Sequence, residues 1–195
     1  MSNQQALTRR FGAAELTVPA DELFSAWFKQ QLGMSINVGR DVPSIGAPWK
    51  GEGGSNGGLA RDADGKPYWL IVPPLDVSSF TGEWGGYGTD EPGAKSDFDG
   101  LANTIALCDS SADHPAAQVC RQLVHDGHSD FYLPAKREGA TLYASVPELF
   151  EKVWHFLSTQ YSALSAWGQT FGGGSQFYAS KYYEGRFRAV RRLDF

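Results

Sequence analysis

The chain has 195 residues, 42% apolar and 13% aromatic, with 17 basic and 22 acidic side chains giving a formal charge of −5. That is enough apolar material for one large domain or one domain with a small addition, and it excludes wholesale disorder. The 23 glycines and 10 prolines exclude a helical bundle, and the net negative charge offers no long-range attraction to nucleic acid or to an anionic membrane.

Met1 is followed by polar Ser2-Asn3-Gln4-Gln5 rather than the apolar core of a signal peptide, and no run approaches the roughly 18 apolar residues of a membrane span. The expectation is a chain made in the cytosol, with no membrane insertion. Val18-Pro19-Ala20-Asp21-Glu22 reads as a helix start, with Leu23, Phe24, Trp27, Phe28 and Leu32 at helical spacing and Gly33 as the stop. Its aromatic face packs either on the rest of the chain or on a neighbouring subunit. Residues 37–58, rich in glycine and lacking apolar periodicity, are predicted to run as an extended loop. Leu59 to Ala63 and Tyr68 to Val72 then flank Asp64-Gly65, the strongest hairpin signal in the chain, and Pro73-Pro74 ends the second strand.

The stretch 81–100 reads again as loop. Helical spacing returns at Leu101, Ile105 and Cys108, and at Ala116, Val119, Cys120, Leu123 and Val124, with Asp113-His114-Pro115 as the second start. Leu133-Pro134-Ala135 opens a third helical stretch. β-like sequence follows Pro147-Glu148-Leu149-Phe150: Ala166 to Phe171 and Gln176 to Ser180 form a hairpin around Gly172-Gly173-Gly174, and Arg186 to Arg192 is one closing strand. Helices in the middle with hairpins at both ends predict an α+β domain whose last strands return to the first hairpin.

Ten carboxylates lie between Asp62 and Asp113, against Lys66 and Lys95, while Lys181 to Arg192 holds five cations against Glu184. These segments are expected to pair internally, with an acidic partner as the alternative. Among chemically able residues, Cys108 and Cys120 suit two buried thiols better than a metal site or a disulfide. His125 and His128 bracket the turn Asp126-Gly127, and His114, His155 and the acids Asp90, Glu91, Asp97 and Asp99 belong to no catalytic signature. With no nucleophile elbow, HExxH helix or phosphate loop, the expectation is a protein without enzymatic activity, cofactor or metal.

Three blocks carry a resemblance: GEGGSNGGLARDADGKPYWLIV at 51–72, DGHSDFYLPAKREGATLYASVPELFE at 126–151, and the run from Trp154 to Arg192. In the last, Ser158-Thr159-Gln160-Tyr161, Ala166-Trp167 and Arg188-Ala189-Val190-Arg191 stand in order. Together they resemble the Lcl C-terminal-like family of bacterial and prophage proteins over residues 45–195, leaving 1–44 as a separate arm. Phe131 stands where the family has Trp, and His155-Phe156-Leu157-Ser158 replaces its Tyr-Trp-Ser-Ser run. The resemblance implies a C-type-lectin-like fold with an N-terminal helical arm. It also implies a non-enzymatic phage tail or tail-tip protein of the virion that recognises the host surface. The alternatives are a structural tail or baseplate component whose aromatic face packs against another virion protein, or a bacterial adhesin domain. Some members are similar to the variable proteins of diversity-generating retroelements. The implied partners are other tail or baseplate proteins, sister copies in a homo-oligomer, and a host-surface protein or glycan, not nucleic acid. The same fold serves formylglycine-generating enzymes, but both cysteines precede the matching final block; Glu91-Pro92-Gly93 and Trp167-Gly168-Gln169 do not reproduce the calcium-dependent sugar motifs.

From Tyr143 to Phe195 there are 13 aromatics in 53 residues, more than such a segment can enclose. The adjacent pairs in Gln176-Phe177-Tyr178 and Tyr182-Tyr183 point to opposite faces of a strand, so some must meet solvent or a partner. Trp154, Trp167 and Phe171 are assigned to the core. Leu164, Ser165, Thr170, Phe177, Tyr178, Tyr182 and Tyr183 fall between the family's fixed positions and have the rigid aromatic or small polar character of recognition surfaces, which makes them the candidate binding face. The alternative is that Phe177 and one tyrosine of each pair complete the core.

Overall fold

The computed structural model describes residues 6–11, 14–19 and 42–195. The chain divides into two compact units, Met1–Asp41 and Val42–Phe195. In the first, β1 (Ala6–Phe11) and β2 (Ala14–Pro19) pair antiparallel, with Ala6 opposite Pro19 and Phe11 opposite Ala14. Val18 and Pro19 thus close a strand rather than open a helix, and the expected helix over 20–32 lies outside the described residues.

The second unit is α+β, with two five-stranded sheets. Sheet I is built from β3 (Pro48–Trp49), β4 (Gly54–Arg61), β5 (Pro67–Val72), β7 (Phe131–Tyr132) and β12 (Val190–Asp194), in the order β3-β4-β5-β12-β7. The hairpin expected at Asp64-Gly65 is present. Asp62 Oδ1 accepts the amides of Asp64 and Lys66, and Gly65 sits at φ +82°, the left-handed region its missing side chain favours. The first strand starts earlier than expected, so 37–58 is not all loop. Gly54 permits this, because a Cβ there would fall 2.4 Å from the Val72 carbonyl oxygen. Glycine marks close strand approach here rather than a turn.

After a single helical turn, α1 (Leu75–Ser78), β6 (Ser79–Glu83) enters sheet II, so the loop expected from residue 81 begins only after Glu83. Helix α2 (Gly100–Cys108) starts where the Asp99 carboxylate accepts the Ala102 amide, and α3 (Pro115–Gln122) starts with Pro115 in its first turn. The latter stops short of the expected Val124, which is exposed. Helix α4 (Lys136–Ser145) is closed at its start by Glu138, whose Oε2 accepts the Ala135 amide at 2.6 Å.

Sheet II runs β10-β9-β8-β11-β6, from β8 (Trp154–Ser162), β9 (Ser165–Thr170), β10 (Gln176–Ser180), β11 (Glu184–Arg188) and β6. The single closing strand expected over Arg186–Arg192 is two strands. β11 lies between β6 and β8, the chain turns at Ala189, whose amide donates to Ser78 O at 3.0 Å, and β12 pairs with β5. The return of the last strand to the first hairpin is therefore as expected, and the same turn ties the two sheets together.

One core cluster, including Trp84, Leu107, Cys120, Phe131, Phe156 and Phe187, lies among α2, α3, β7 and sheet II; a second, including Tyr68, Leu70 and Leu142, lies between α4 and sheet I and takes in Phe171 from the end of β9. Cys120 is buried and Cys108 partly so, both as free thiols. At the second cluster's centre the fully buried Glu138 accepts from Tyr68 Oη at 2.8 Å, Tyr132 Oη at 2.7 Å and the Gly100 amide at 3.1 Å, besides Ala135. Burial raises its carboxyl to about 7 despite these donors.

Candidate ligand-binding face

The β9–β10 hairpin is shaped by glycine where rings need room. Gly174 turns at φ +80°, and a Cβ there would meet the Tyr143 ring at 2.6 Å. Phe177 lies opposite Gly168, and the Trp154 indole occupies the space a side chain at 168 would need, 2.1 Å from its Cβ position. Phe177 therefore stacks on Trp154, centroids 5.6 Å apart. Tyr178 projects to the other side, opposite Trp167, and stacks face to face on Tyr161 at 3.9 Å and 6°. Trp167 meets both tyrosines edge-on, and Lys136 Nζ lies 3.6 Å from its ring centroid, a cation–π contact from the start of α4. A hydrogen bond with Tyr178 raises the Tyr161 hydroxyl above its ordinary value.

Three connections meet at one end of sheet II. The Gly88 amide donates to Ala163 O, Gly85 to Lys181 O and Lys181 to Leu164 O, each at 3.0 to 3.1 Å. These bonds bring together Tyr87, Leu164, Tyr182 and Tyr183. Tyr87 packs edge-on against Tyr182 at 5.1 Å, and Tyr182 leans on Tyr183 at 4.5 Å. Tyr87, Tyr161, Leu164, Phe177, Tyr178, Tyr182 and Tyr183 are each between 48% and 55% exposed.

The structure separates the seven expected residues. Ser165 and Tyr178 share one face of sheet II, and Leu164, Tyr182 and Tyr183 cap its end. Thr170, opposite Trp154, and Phe177 lie on the opposite face. The alternative that Phe177 and one tyrosine of each pair complete the core does not hold, because all four rings are about half exposed. Of the three aromatics assigned to the core, Phe171 is buried, Trp154 is partly buried against the first core cluster while Phe177 stacks on it, and Trp167 is a half-buried platform outside the core clusters.

Beneath the capping loops lies a polar cluster. Lys181 is fully buried; its Nζ donates to Gln160 Oε1 at 2.7 Å and Thr89 O at 2.8 Å and lies 4.6 Å from the Trp84 ring centroid. Gln160 accepts the Glu91 amide and donates to Asp90 Oδ1. Glu91 Oε1 accepts from Ser110 Oγ at 2.7 Å and His114 Nε2 at 3.0 Å. Burial lowers the Lys181 ammonium to about 8, while Glu91 and Asp90 oppose that shift. Burial also pushes the Glu91 carboxyl up, but the hydrogen bonds from Ser110 and His114 and the nearby Lys181 outweigh it and hold the acid below its ordinary range. Both Ser110 and His114 bond to the carboxylate that lies between them, so the cluster is a brace for the loop 84–91 rather than a hydroxyl activated by an imidazole.

The remaining sequence candidates have structural roles. His125 and His128 exchange backbone hydrogen bonds across the Asp126-Gly127 turn, and His128 Nε2 bonds Gly51 O at 2.9 Å. His155 is buried against Phe150 and Phe171, and burial lowers it to about 4. Of the C-terminal cations, Lys181 approaches Glu91 and Asp90, and Arg192 pairs with Asp62 and Asp194. Arg186 instead meets Glu151, and Arg191 meets Glu52 and Asp130, all outside the acidic middle. Among the described residues no helix is long and apolar enough to cross a membrane. Also among them, no group of three or more His, Cys, Asp and Glu side chains is placed to hold a metal.

Sequence reasoning missed Tyr87, Tyr161 and Lys136. The only signal for Tyr87 is its setting in Gly85-Gly86-Tyr87-Gly88, an aromatic held between residues that let a loop approach its neighbours. No protein-family model matches the chain, and no curated protein matches it.

Proposed function

We propose that this chain is a non-enzymatic display protein with a C-type-lectin-like ligand-binding unit, working in a phage tail or tail tip where it recognises the host surface. The observation that carries the reading is two groups of half-exposed rings, Tyr161 with Tyr178 on one face of sheet II and Tyr87 with Tyr182 and Tyr183 at its end. Rigid tyrosines give contact area at little entropic cost, and here Tyr161 and Tyr178 stand on paired strands while the loop carrying Tyr87 is braced by the buried Lys181. The setting rests on the resemblance of residues 45–195 to the Lcl C-terminal-like family, and the α+β architecture of Val42–Phe195 is compatible with it. The chemistry of the rings suits a protein or glycan ligand that lays flat apolar or CH-rich surface on them.

The test is adsorption of the labelled full chain to host cells, comparing the unmodified protein with Tyr178→Ala and Tyr182→Ala. Loss of a central aromatic contact costs on the order of 2 kcal/mol, which is more than tenfold in affinity. Unchanged adsorption in both variants would contradict the reading.

A further inference from the structure

Sheet II ends on a strand that lacks the usual protection of an edge. Natural edge strands are kept from pairing with other chains by being short, by charge, by proline or by bulges. Among the described strands, β3 has two residues and begins with Pro48, β7 has two, and β6 ends on Glu83. β10 has five residues, Gln176-Phe177-Tyr178-Ala179-Ser180, with no charge, no proline and an unbroken register against β9.

Its free hydrogen-bonding groups follow from the ladder. Thr170 N donates to Ser175 O at 2.9 Å and Lys181 N to Leu164 O at 3.0 Å, so the odd-numbered residues of this segment face β9. Backbone groups alternate along an antiparallel strand, so Gln176, Tyr178 and Ser180 direct their N–H and C=O groups away from the sheet. Of these groups, Ser180 O alone has another backbone partner among the described residues, accepting the Tyr183 amide at 3.2 Å.

We propose that β10 pairs antiparallel with β10 of a second copy of this chain, about a two-fold axis at Tyr178. The outward residues Gln176 and Ser180 flank it at equal spacing, and the Ser180 carbonyl would divide its acceptor capacity between the partner strand and the Tyr183 amide. Tyr178 would exchange two hydrogen bonds with Tyr178 of the partner subunit, and Gln176 would face Ser180 of the partner subunit on either side. A charge-free segment meets its own copy without repulsion, and the alternation of outward groups lets an antiparallel strand pair with its own copy about an outward residue, of which Tyr178 is the central one in β10. The two five-stranded sheets become one of ten strands, and the stacked rings of Tyr161, Trp167 and Tyr178 continue across the junction. The pairing stands independently of what those rings bind.

Residue-resolved hydrogen exchange on the full chain, with sedimentation, tests this. At high concentration the amides of Gln176, Tyr178 and Ser180 are expected to be protected, and after 100-fold dilution to exchange at least tenfold faster, while those of Phe177 and Ala179 stay unchanged. Tyr178→Pro removes an outward amide that β9 does not use, and it should halve the sedimenting mass while retaining a cooperative melt. Ser180→Lys, which charges the edge without altering the backbone, should do the same and decides the matter if the proline variant fails to fold. Free exchange of the even-numbered amides at every concentration would overturn the proposal. So would protection that ignores dilution, which indicates cover by another part of the chain, or an unchanged mass in Ser180→Lys.

Discussion

The two sheets use tyrosine in opposite ways. In sheet I, Tyr68 and Tyr132 are fully buried and both hydroxyls donate to the Glu138 carboxylate, so ring and polar tip are spent on the fold. In sheet II, Tyr161 and Tyr178 stack on each other with about half of each ring exposed. The same residue type therefore reads as core when a buried acceptor awaits its hydroxyl and as surface chemistry when its partner is another exposed ring. Rings left half exposed gain little from burial, and it is on several such rings kept together that the proposed recognition role rests.

The largest effect is expected at the core end of this contrast. Tyr132→Ala removes a fully buried ring and one donor to Glu138, and should destabilise the unit by about 4 kcal/mol in chemical denaturation. A cost below about 1 kcal/mol would show that the ring is not part of the core.

Glu138 gives a pH signature of similar origin. Burial holds its folded carboxyl at about 7 against an ordinary 4.5, so between these values the folded state binds the proton that the unfolded state has released. Its contribution to stability is therefore complete below about pH 4.5 and declines as pH rises to about 7, by on the order of 3 kcal/mol. Denaturant titrations at pH 5 and 7 should show that fall, and Glu138→Gln, which stays neutral, should lose the slope.

The next effect probes the brace. Lys181→Met keeps the apolar stem but deprives Thr89 O of its donor, and should cost on the order of 2 kcal/mol while weakening ligand adsorption through misplaced loops. Equal adsorption with lowered stability would show that the aromatic end needs no brace.

The legibility of the molecule in its sequence follows the range of the forces involved. The Asp64-Gly65 hairpin and the start of α3 at Pro115 are local, set by turn and helix-start chemistry within a few residues, and are legible in the sequence. The start of β4 was not, because Gly54 and Gly57 look like loop until Val72 is seen to lie against them. The break at Ala189 has no glycine or proline to announce it; its cause is the Ser78 carbonyl, over a hundred residues earlier in the chain. The aromatic excess after Tyr143 correctly pointed to exposed rings, yet which rings meet depended on Tyr87 and on strand alternation, which put Phe177 and Tyr178 on opposite faces. Lys181, one of the cations expected to pair with the acidic middle, does approach Glu91 and Asp90, yet its full burial depends on the loop 84–91 folding over it, for which no local signal exists.

The smallest expected change in stability is at the exposed rings, and it carries the most direct test. Tyr178→Ala should shift the melting temperature by less than about 3 °C, as befits a half-exposed side chain away from the core. The deciding measurement is adsorption of that same variant to host cells at a concentration where the unmodified chain is half bound. A drop of tenfold or more in affinity with the melt preserved is the result expected of a recognition face. Full adsorption by a folded Tyr178→Ala protein would contradict it.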